Sequence, residues 1–359
     1  MSEIPGMQMQ VRLLSLPTRE VLSAAHDETG ARGAAATDRL VVVVRLQIGR
    51  WQGWGECSAL NRPTYSNEDA RQSFLALSGQ SDDEPGPMAQ AATVMAMRDL
   101  TLKRRNVSLA SDLAGWDHQA SVPAGAALGI ANPDTLAARA ADLFAAGYQR
   151  IKIKVMPDHV TNAARVVRDA APGVELQVDG NGSFGPDDIA ELARLEGLGV
   201  AAIEQPFAVD DVSSAASLVQ AVEIPVVADE AVTTVADAER LAAAGALSGV
   251  SIKAPRVGGI PAAIELLDWC VDRGMAATAG GMLESGLGRH ALTALAAHPG
   301  FTLAGDISPA QRWLAADPWP DVAMVGGPGA GVVLVPTGAG VAPSPDPELL
   351  DEYTIDQSG

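Results

Sequence analysis

The chain has 359 residues, a formal net charge of −19 and 47% hydrophobic residues. Such a charge argues against nucleic acid or an anionic membrane surface as a partner, although a bound cation can invert the local field for a small anionic substrate. The two cysteines, Cys57 and Cys270, are too few for a disulfide framework and sit in apolar contexts, so they read as small hydrophobes of a reduced compartment.

The N-terminal run MSEIPGMQMQ has no basic segment followed by a long apolar one, and no apolar stretch reaches the ~18 residues that span a bilayer. The expected location is therefore cytoplasmic. Residues 8–56 read as β structure. Strands are expected at Val11–Leu16, Arg39–Ile48 and Trp51–Glu56, with a tight hairpin at Gly49-Arg50. The polar, Gly/Ala-rich stretch Pro17–Asp38 has no periodicity and reads as a long mobile loop, of the kind that serves as a lid. Helical patterns at Asn67–Leu77 and Met88–Lys103 flank the acidic linker SGQSDDEPGP.

From about Val122 the pattern becomes an alternation of β and α. Asn132-Pro133 starts a helix, with Asn as N-cap and Pro in the first turn, and Gly147 closes it. Strands are expected at Val122–Ile130, Gln149–Val155, 174–179, 200–204, 225–229, 249–253, 276–279 and Phe301–Ala304. Helices fill the gaps, most clearly after Pro186-Asp187-Asp188 and at Ile260–Val271. Eight near-continuous apolar strands at ~25-residue spacing predict a closed, parallel (β/α)8-type barrel. The Gly/Pro/Val-rich tail from Ala323 is expected to return to the N-terminal β layer. The expected organisation is an α+β capping domain over residues 1–120, a barrel over 121–322, and a tail over 323–359 that rejoins the cap.

Five charged residues end successive strands of this alternation: Lys154, Asp179, Glu204, Asp229 and Lys253, at intervals of 25, 25, 25 and 24 residues. A charge at the end of a buried strand is costly without a partner or a metal. In a barrel of this type all five fall at the face where active sites form. Three converging carboxylates need a cation, and an all-oxygen set suits Mg²⁺ or Mn²⁺. The plainer reading of Asp179 and Asp229, as N-caps of the following helices, leaves Glu204 and the flanking lysines unexplained.

Lys152 and Lys154 lie two apart on one strand and so face the same side, while Ile151, Ile153 and Val155 face the helices. Lys253 sits across the barrel. Burial, together with crowding by Lys152 and the cation, is expected to lower the Lys154 pKa toward working pH, as a general base requires. A metal between opposed lysines suits abstraction of a proton α to a carboxylate, with the metal and Lys152 stabilising the enediolate.

The runs RIKIK, VDGNG, IEQP, ADE and IKAPRVGG resemble the muconate-lactonising subgroup of the enolase superfamily. The runs GWGECSALNRPTYSNE, GGMLESGLGR, GDISPAQRW and VPTGAGV are similar to o-succinylbenzoate synthases and the related N-acylamino acid racemases. The resemblance covers nearly the whole chain and is weaker before Arg39. It implies Mg²⁺ ligation by Asp179, Glu204 and Asp229, with Lys154 as base and Lys253 as its partner. Asn181 and Glu230 would stand behind the metal ligands, and Gly280, Gly281 and Met282 would line the substrate pocket. Glu284 and Arg289 would either bind substrate or pair with each other, and Asp306 would either fix a loop or join the site. A homo-oligomer is implied as well.

None of the five histidines, His26, His118, His159, His290 and His298, ends a barrel strand, which argues against the superfamily branches that use a histidine base. Ala127 stands where some relatives carry a serine, and Pro17–Asp38 lacks their Pro-Phe-rich pattern, so substrate identity is the part least constrained. The expected activity is a carbon–oxygen lyase, the Mg-dependent o-succinylbenzoate synthase reaction of menaquinone biosynthesis on a small cyclohexadiene carboxylate. Its alternatives are racemisation of N-acylamino acids in the same site, a muconate-type cycloisomerase or a dipeptide epimerase. Outside enzymes, the alternative is a catalytically idle metal-binding protein, which would have no use for two poised lysines.

Overall fold

The computed structural model describes residues 6–19, 38–114 and 117–359. Most of the expected lid, residues 20–37, lies outside the described residues.

The N-terminal layer is built from β1 (Met7–Leu16), β2 (Arg39–Ile48), β3 (Trp51–Cys57), α1 (Ala70–Ser78), α2 (Pro87–Arg105) and α3 (Leu109–Ala114). The hairpin between β2 and β3 turns at Gly49-Arg50 as expected, with Ile48 opposite Trp51. β3 is an edge strand, and α2 lies directly on its backbone. Gly53 and Gly55 make this approach feasible, because a Cβ at either would fall 2.1 Å from Ala96 O or 1.9 Å from Ala92 O. The strand pleat then turns Trp54 to the opposite face, where it meets Trp319 edge-on at 5.7 Å.

The second part runs β4 (Ser121–Pro123), β5 (Gly125–Leu128), α4 (Pro133–Ala145), β6 (Arg150–Lys154), α5 (Val160–Ala170), β7 (Glu175–Asp179), α6 (Ile189–Ala193), β8 (Val200–Glu204), α7 (Val212–Ala221), β9 (Val226–Ala228), α8 (Val235–Ala243), β10 (Gly249–Ile252), α9 (Ile260–Asp272), β11 (Ala276–Ala279) and α10 (Gly286–Ala296). Strands β5 to β11 form one parallel sheet in sequence order. Asn132 caps α4 as expected, its side chain accepting from Thr135 N at 2.9 Å with Pro133 in the first turn. The sheet-to-helix layers are filled with aliphatic residues, Ile151, Ile153, Val178, Ile203, Val250 and Ile252 among them, all at most 1% exposed.

Two expectations for the strands are corrected. The run Val122–Ile130 is two elements, because β4 pairs antiparallel with the C-terminal tail and only β5 enters the barrel. The eighth strand, expected at Phe301–Ala304, does not form a ladder. The segment still spans the gap: Leu303 N and Asp306 N donate to Ala277 O and Ala279 O of β11, and Gly125 N of β5 donates to Ile307 O. The backbone groups of Ala304 go to side chains. Ala304 O accepts from Gln177 Nε2 and Thr278 Oγ1, and Ala304 N donates to Glu175 Oε1. Polar side chains from the barrel floor thus take the positions that a regular strand would have filled. The architecture is a modified (β/α)8-type barrel with an α+β capping domain.

The tail returns in two stages. First, β12 (Met324–Val325) and β13 (Val332–Leu334) form a hairpin that pairs with β4. Then α11 (Pro347–Tyr353) leads to β14 (Thr354–Ser358), which adds antiparallel to β1. Leu14, Val43 and Trp54 of the cap share one apolar core with Leu287, Trp313 and Trp319 of the barrel side. No helix among the described residues is long and apolar enough to cross a membrane.

Candidate active site

The parallel register sets the site. Lys154, Asp179 and Glu204 are direct Cα partners across β6, β7 and β8, so their side chains form one transverse row. Asp229 and Lys253 follow the last residues of β9 and β10. The structure therefore brings all five periodic charges to one end of the barrel. Asp179, Glu204, Asp229 and Lys253 are buried, and so is Lys152, one pleat deeper than Lys154.

Each lysine rests on carboxylates. Lys152 Nζ lies 2.8 Å from Glu204 Oε1, 3.2 Å from Asp306 Oδ2 and 3.8 Å from Asp179 Oδ2. Lys154 Nζ is 3.4 Å from Asp179 Oδ2 and also donates to Asn181 Oδ1. Lys253 Nζ is 2.5 Å from Asp229 Oδ2, whose other oxygen accepts from Arg256 Nη2 at 2.6 Å. Asn181 in turn donates from Nδ2 to Glu230 Oε1 at 3.0 Å. Asn181 and Gln205, the residues that open the loops after β7 and β8, have φ of +41° and +33°. Such backbone strain in non-glycine residues concentrates at functional sites. Gln205 Oε1 secures the next loop by accepting from Asp229 N and Ala231 N.

The side chains alone pull the Lys154 pKa in both directions. Burial would lower the Lys154 pKa, but Asp179 and Tyr65 outweigh it and raise the pKa above its ordinary value. Lys152 is raised likewise, as Asp306, Glu204 and Asp179 overcome the effect of burial. The expectation weighed burial, Lys152 and a bound cation, and a cation held by Asp179 would offset the pull of that carboxylate on Lys154. Burial would raise Asp229, yet Arg256 and Lys253 hold it well below the usual carboxylate range. Glu204 is raised by burial, with Asp179 and Asp229 adding to the effect. Glu230 is pushed up to about 7, by burial and then by Asp229.

Among the described residues no group of three His, Cys, Asp or Glu side chains is gathered around a single point as for a metal. Lysine ammonium groups lie on the three carboxylates instead. The donor chemistry nevertheless fits a hard divalent cation: Asp179, Glu204 and Asp229 offer only oxygen and are buried, and burial, with Asp179 and Asp229 adding to it, raises Glu204. The buried Glu230 Oε2, which has no hydrogen-bond partner among the described residues, points the same way.

The expected substrate-lining residues divide. Gly280 lies beside Lys253, and a Cβ there would fall 2.7 Å from Lys253 Cγ, so the glycine makes room for the lysine stem. Gly281 donates its N–H to Asp306 Oδ2 at 3.2 Å. Met282 packs into the capping core with Phe74 and Leu100. Glu284 forms an ion pair with Arg289. Asp306 both fixes a loop, through Gly281 N, and meets Lys152.

Two neighbours were missed. Tyr65, from the loop after β3, places its hydroxyl 3.2 Å from Lys154 Nζ and its ring 5.9 Å from Lys253 Nζ. A signal existed, since it is one of three tyrosines in the chain and lies in a polar loop. The second is Arg256, three residues beyond Lys253 in the run IKAPRVGG, which pairs with Asp229.

Residues 135–349 match the family model described as enolase C-terminal domain-like. The chain is 35% identical over 339 residues to an N-succinylamino acid racemase of Amycolatopsis sp., covering 88% of this chain and 90% of that protein. It is 32% identical over 295 residues to the o-succinylbenzoate synthase of Bacillus subtilis, covering 77% and 79% of the two chains. A solved enolase superfamily member from Listeria innocua superposes with a TM-score of 0.86 at 25% identity, covering 98% of this chain and 97% of that one. The strand-end row of charges, the capped barrel and these likenesses agree: the chain belongs to the enolase superfamily.

Proposed function

We propose that the chain abstracts a proton α to a carboxylate, and that its reaction is the dehydration of a cyclohexadiene carboxylate to o-succinylbenzoate. The observation that carries this reading is that Lys154 and Lys253, one at the end of β6 and one just beyond β10, both face the ring of Tyr65, at 4.9 and 5.9 Å. A substrate below that ring would have an amine on either side. In this reading Asp179, Glu204 and Asp229 hold Mg²⁺, which when bound supplies positive charge for the substrate carboxylate. Lys154 takes the α-proton and, once protonated, assists loss of the leaving hydroxide from the same side. Lys152, buried beside Glu204 and Asp306, faces the negative charge that develops on the carboxylate. Lys253 acts as a fixed cation. Asn181 and Glu230 orient the ligand shell. The same reading takes residues 1–120 and 323–359 as the cap that sets specificity and 121–322 as the catalytic unit.

A second reading is racemisation of N-succinylamino acids, with Lys154 and Lys253 as base and acid on opposite faces. It is favoured by Lys253 being as well supported as Lys154, through Asp229 and then Arg256. The test is a side-by-side assay of both substrate classes with Mg²⁺, alongside α-proton exchange in D₂O. Dehydration faster than racemisation supports the first reading, and the reverse supports the second. Folded protein that exchanges no α-proton from either class refutes both and favours a binding role.

A further inference from the structure

Arg39 is buried at the first residue of β2. Its guanidinium has five N–H donors in a planar fork, and the structure gives them five acceptors, all neutral backbone carbonyls. Nη1 donates to Leu40 O and Ala59 O, both at 2.6 Å. Nη2 donates to Ser58 O at 2.8 Å and Met282 O at 3.4 Å. Nε donates to Leu283 O at 3.3 Å. A buried cation is costly, and this one is spread across three chain segments: the start of β2, the loop after β3 and the loop after β11.

Those loops border the two lysines. The loop after β3 carries Tyr65, and the loop after β11 carries Gly280 against Lys253. Leu283, one of the carbonyls Arg39 holds, has φ of +57°, a left-handed conformation that leucine rarely adopts. Asn61 reinforces the joint from the cap side. Its Oδ1 accepts from Leu40 N at 2.9 Å and its Nδ2 donates to Asp38 O at 2.7 Å.

We propose that Arg39 is a positioning residue for substrate recognition: it locks the capping loop that carries Tyr65 to the barrel loop that flanks Lys253, and thereby sets the width of the pocket between them. The inference rests on the proton-transfer reading of the Lys154–Lys253 site. Arg39 touches neither lysine, so its loss acts on the fit of the acid and leaves the proton transfer itself in place.

The test compares R39M, R39K and N61A with the wild type. Full-length Mg²⁺-loaded protein is assayed on both substrate classes, and backbone hydrogen exchange is followed over residues 58–69 and 280–285. For R39M the KM is expected to rise roughly tenfold or more, the scale of a lost binding contact, with kcat within about threefold. Exchange is expected to quicken in both loops. R39K keeps the charge without the fork and falls between R39M and wild type. If R39M does not fold, R39K and N61A carry the test with the same expected rise in KM. Unchanged KM in the folded variants overturns the proposal, as does a fall in kcat at constant KM. Should the wild type turn over neither acid, it is the functional reading that fails, and unchanged exchange in the two loops would still overturn the role of Arg39.

Discussion

Tyr65 Oη lies 3.2 Å from Lys154 Nζ, so a residue of the capping domain touches the lysine that ends β6 of the barrel. The contact has two separable parts, a hydroxyl hydrogen bond to Lys154 and a ring face shared by Lys154 and Lys253. Tyr65→Phe keeps the ring and is expected to lower kcat/KM by less than about tenfold, the worth of one hydrogen bond. Tyr65→Ala also removes the ring from both cations and is expected to cost roughly a further tenfold. Equal losses in the two variants would show that the ring has no part in the site.

The two lysines are expected to separate by reaction. Lys154→Ala should lower dehydration by ~10²-fold or more, the usual scale for a positioned base. Near-normal turnover by that variant would remove Lys154 from the mechanism. Lys253→Arg keeps a cation near Asp229 but gives up a titratable amine. It should therefore impair racemisation more than dehydration, because only racemisation needs a second proton transfer. Equal impairment of the two reactions would contradict that division of labour.

The barrel was legible because its signals are local and repeated. A charge closing each apolar run fixes which residue ends the strand, and the two-residue pleat then puts Lys152 and Lys154 on one face. Phe301–Ala304 misled because its apolar residues look like a strand, while the fate of its backbone depends on Gln177, Thr278 and Glu175, more than 20 residues away. Arg39 was illegible for the same reason, and Tyr65 offered only the signal of a rare tyrosine in a polar loop. Their partners lie across loops, with 243 positions separating Arg39 from Met282 and 89 separating Tyr65 from Lys154. The pull of Asp179 on Lys154 was also missed, because it depends on the two residues standing side by side in register.

Asp99 on α2 should be a stability determinant far from the chemistry. It is fully buried and accepts from Trp54 N at 2.8 Å, Val341 N at 2.7 Å and Lys103 Nζ at 2.7 Å. One carboxylate thus ties the edge of β3, the helix and the C-terminal tail together. Asp99→Ala leaves two buried amides without acceptors and should cost about 3 kcal/mol, at ~1–3 kcal/mol for each unsatisfied group. Lys103→Met should cost less, since the carboxylate keeps both amides. Denaturant unfolding measures both, and a loss below about 1 kcal/mol in Asp99→Ala would contradict the argument.

His290 on α10 gives stability a pH dependence of definite sign. It is buried, and its Nδ1 lies 2.7 Å from Gly286 O. A carbonyl can only accept, so Nδ1 carries a proton. Burial lowers its pKa, against weaker opposing effects of the Gly286 hydrogen bond and Asp321. The unfolded chain therefore binds a proton at higher pH than the native state does. The stabilisation is complete above the unfolded value of ~6.5 and is lost as the pH falls from there toward the lower folded value, with a slope of at most about 1.4 kcal/mol per pH unit. His290→Asn can still donate an amide hydrogen to Gly286 O but does not titrate. The difference in unfolding free energy between wild type and His290→Asn should be constant above pH ~7 and should shift against the wild type as the pH falls below about 6.5. Parallel stability curves over that range would mean that His290 binds its proton equally in the folded and unfolded states.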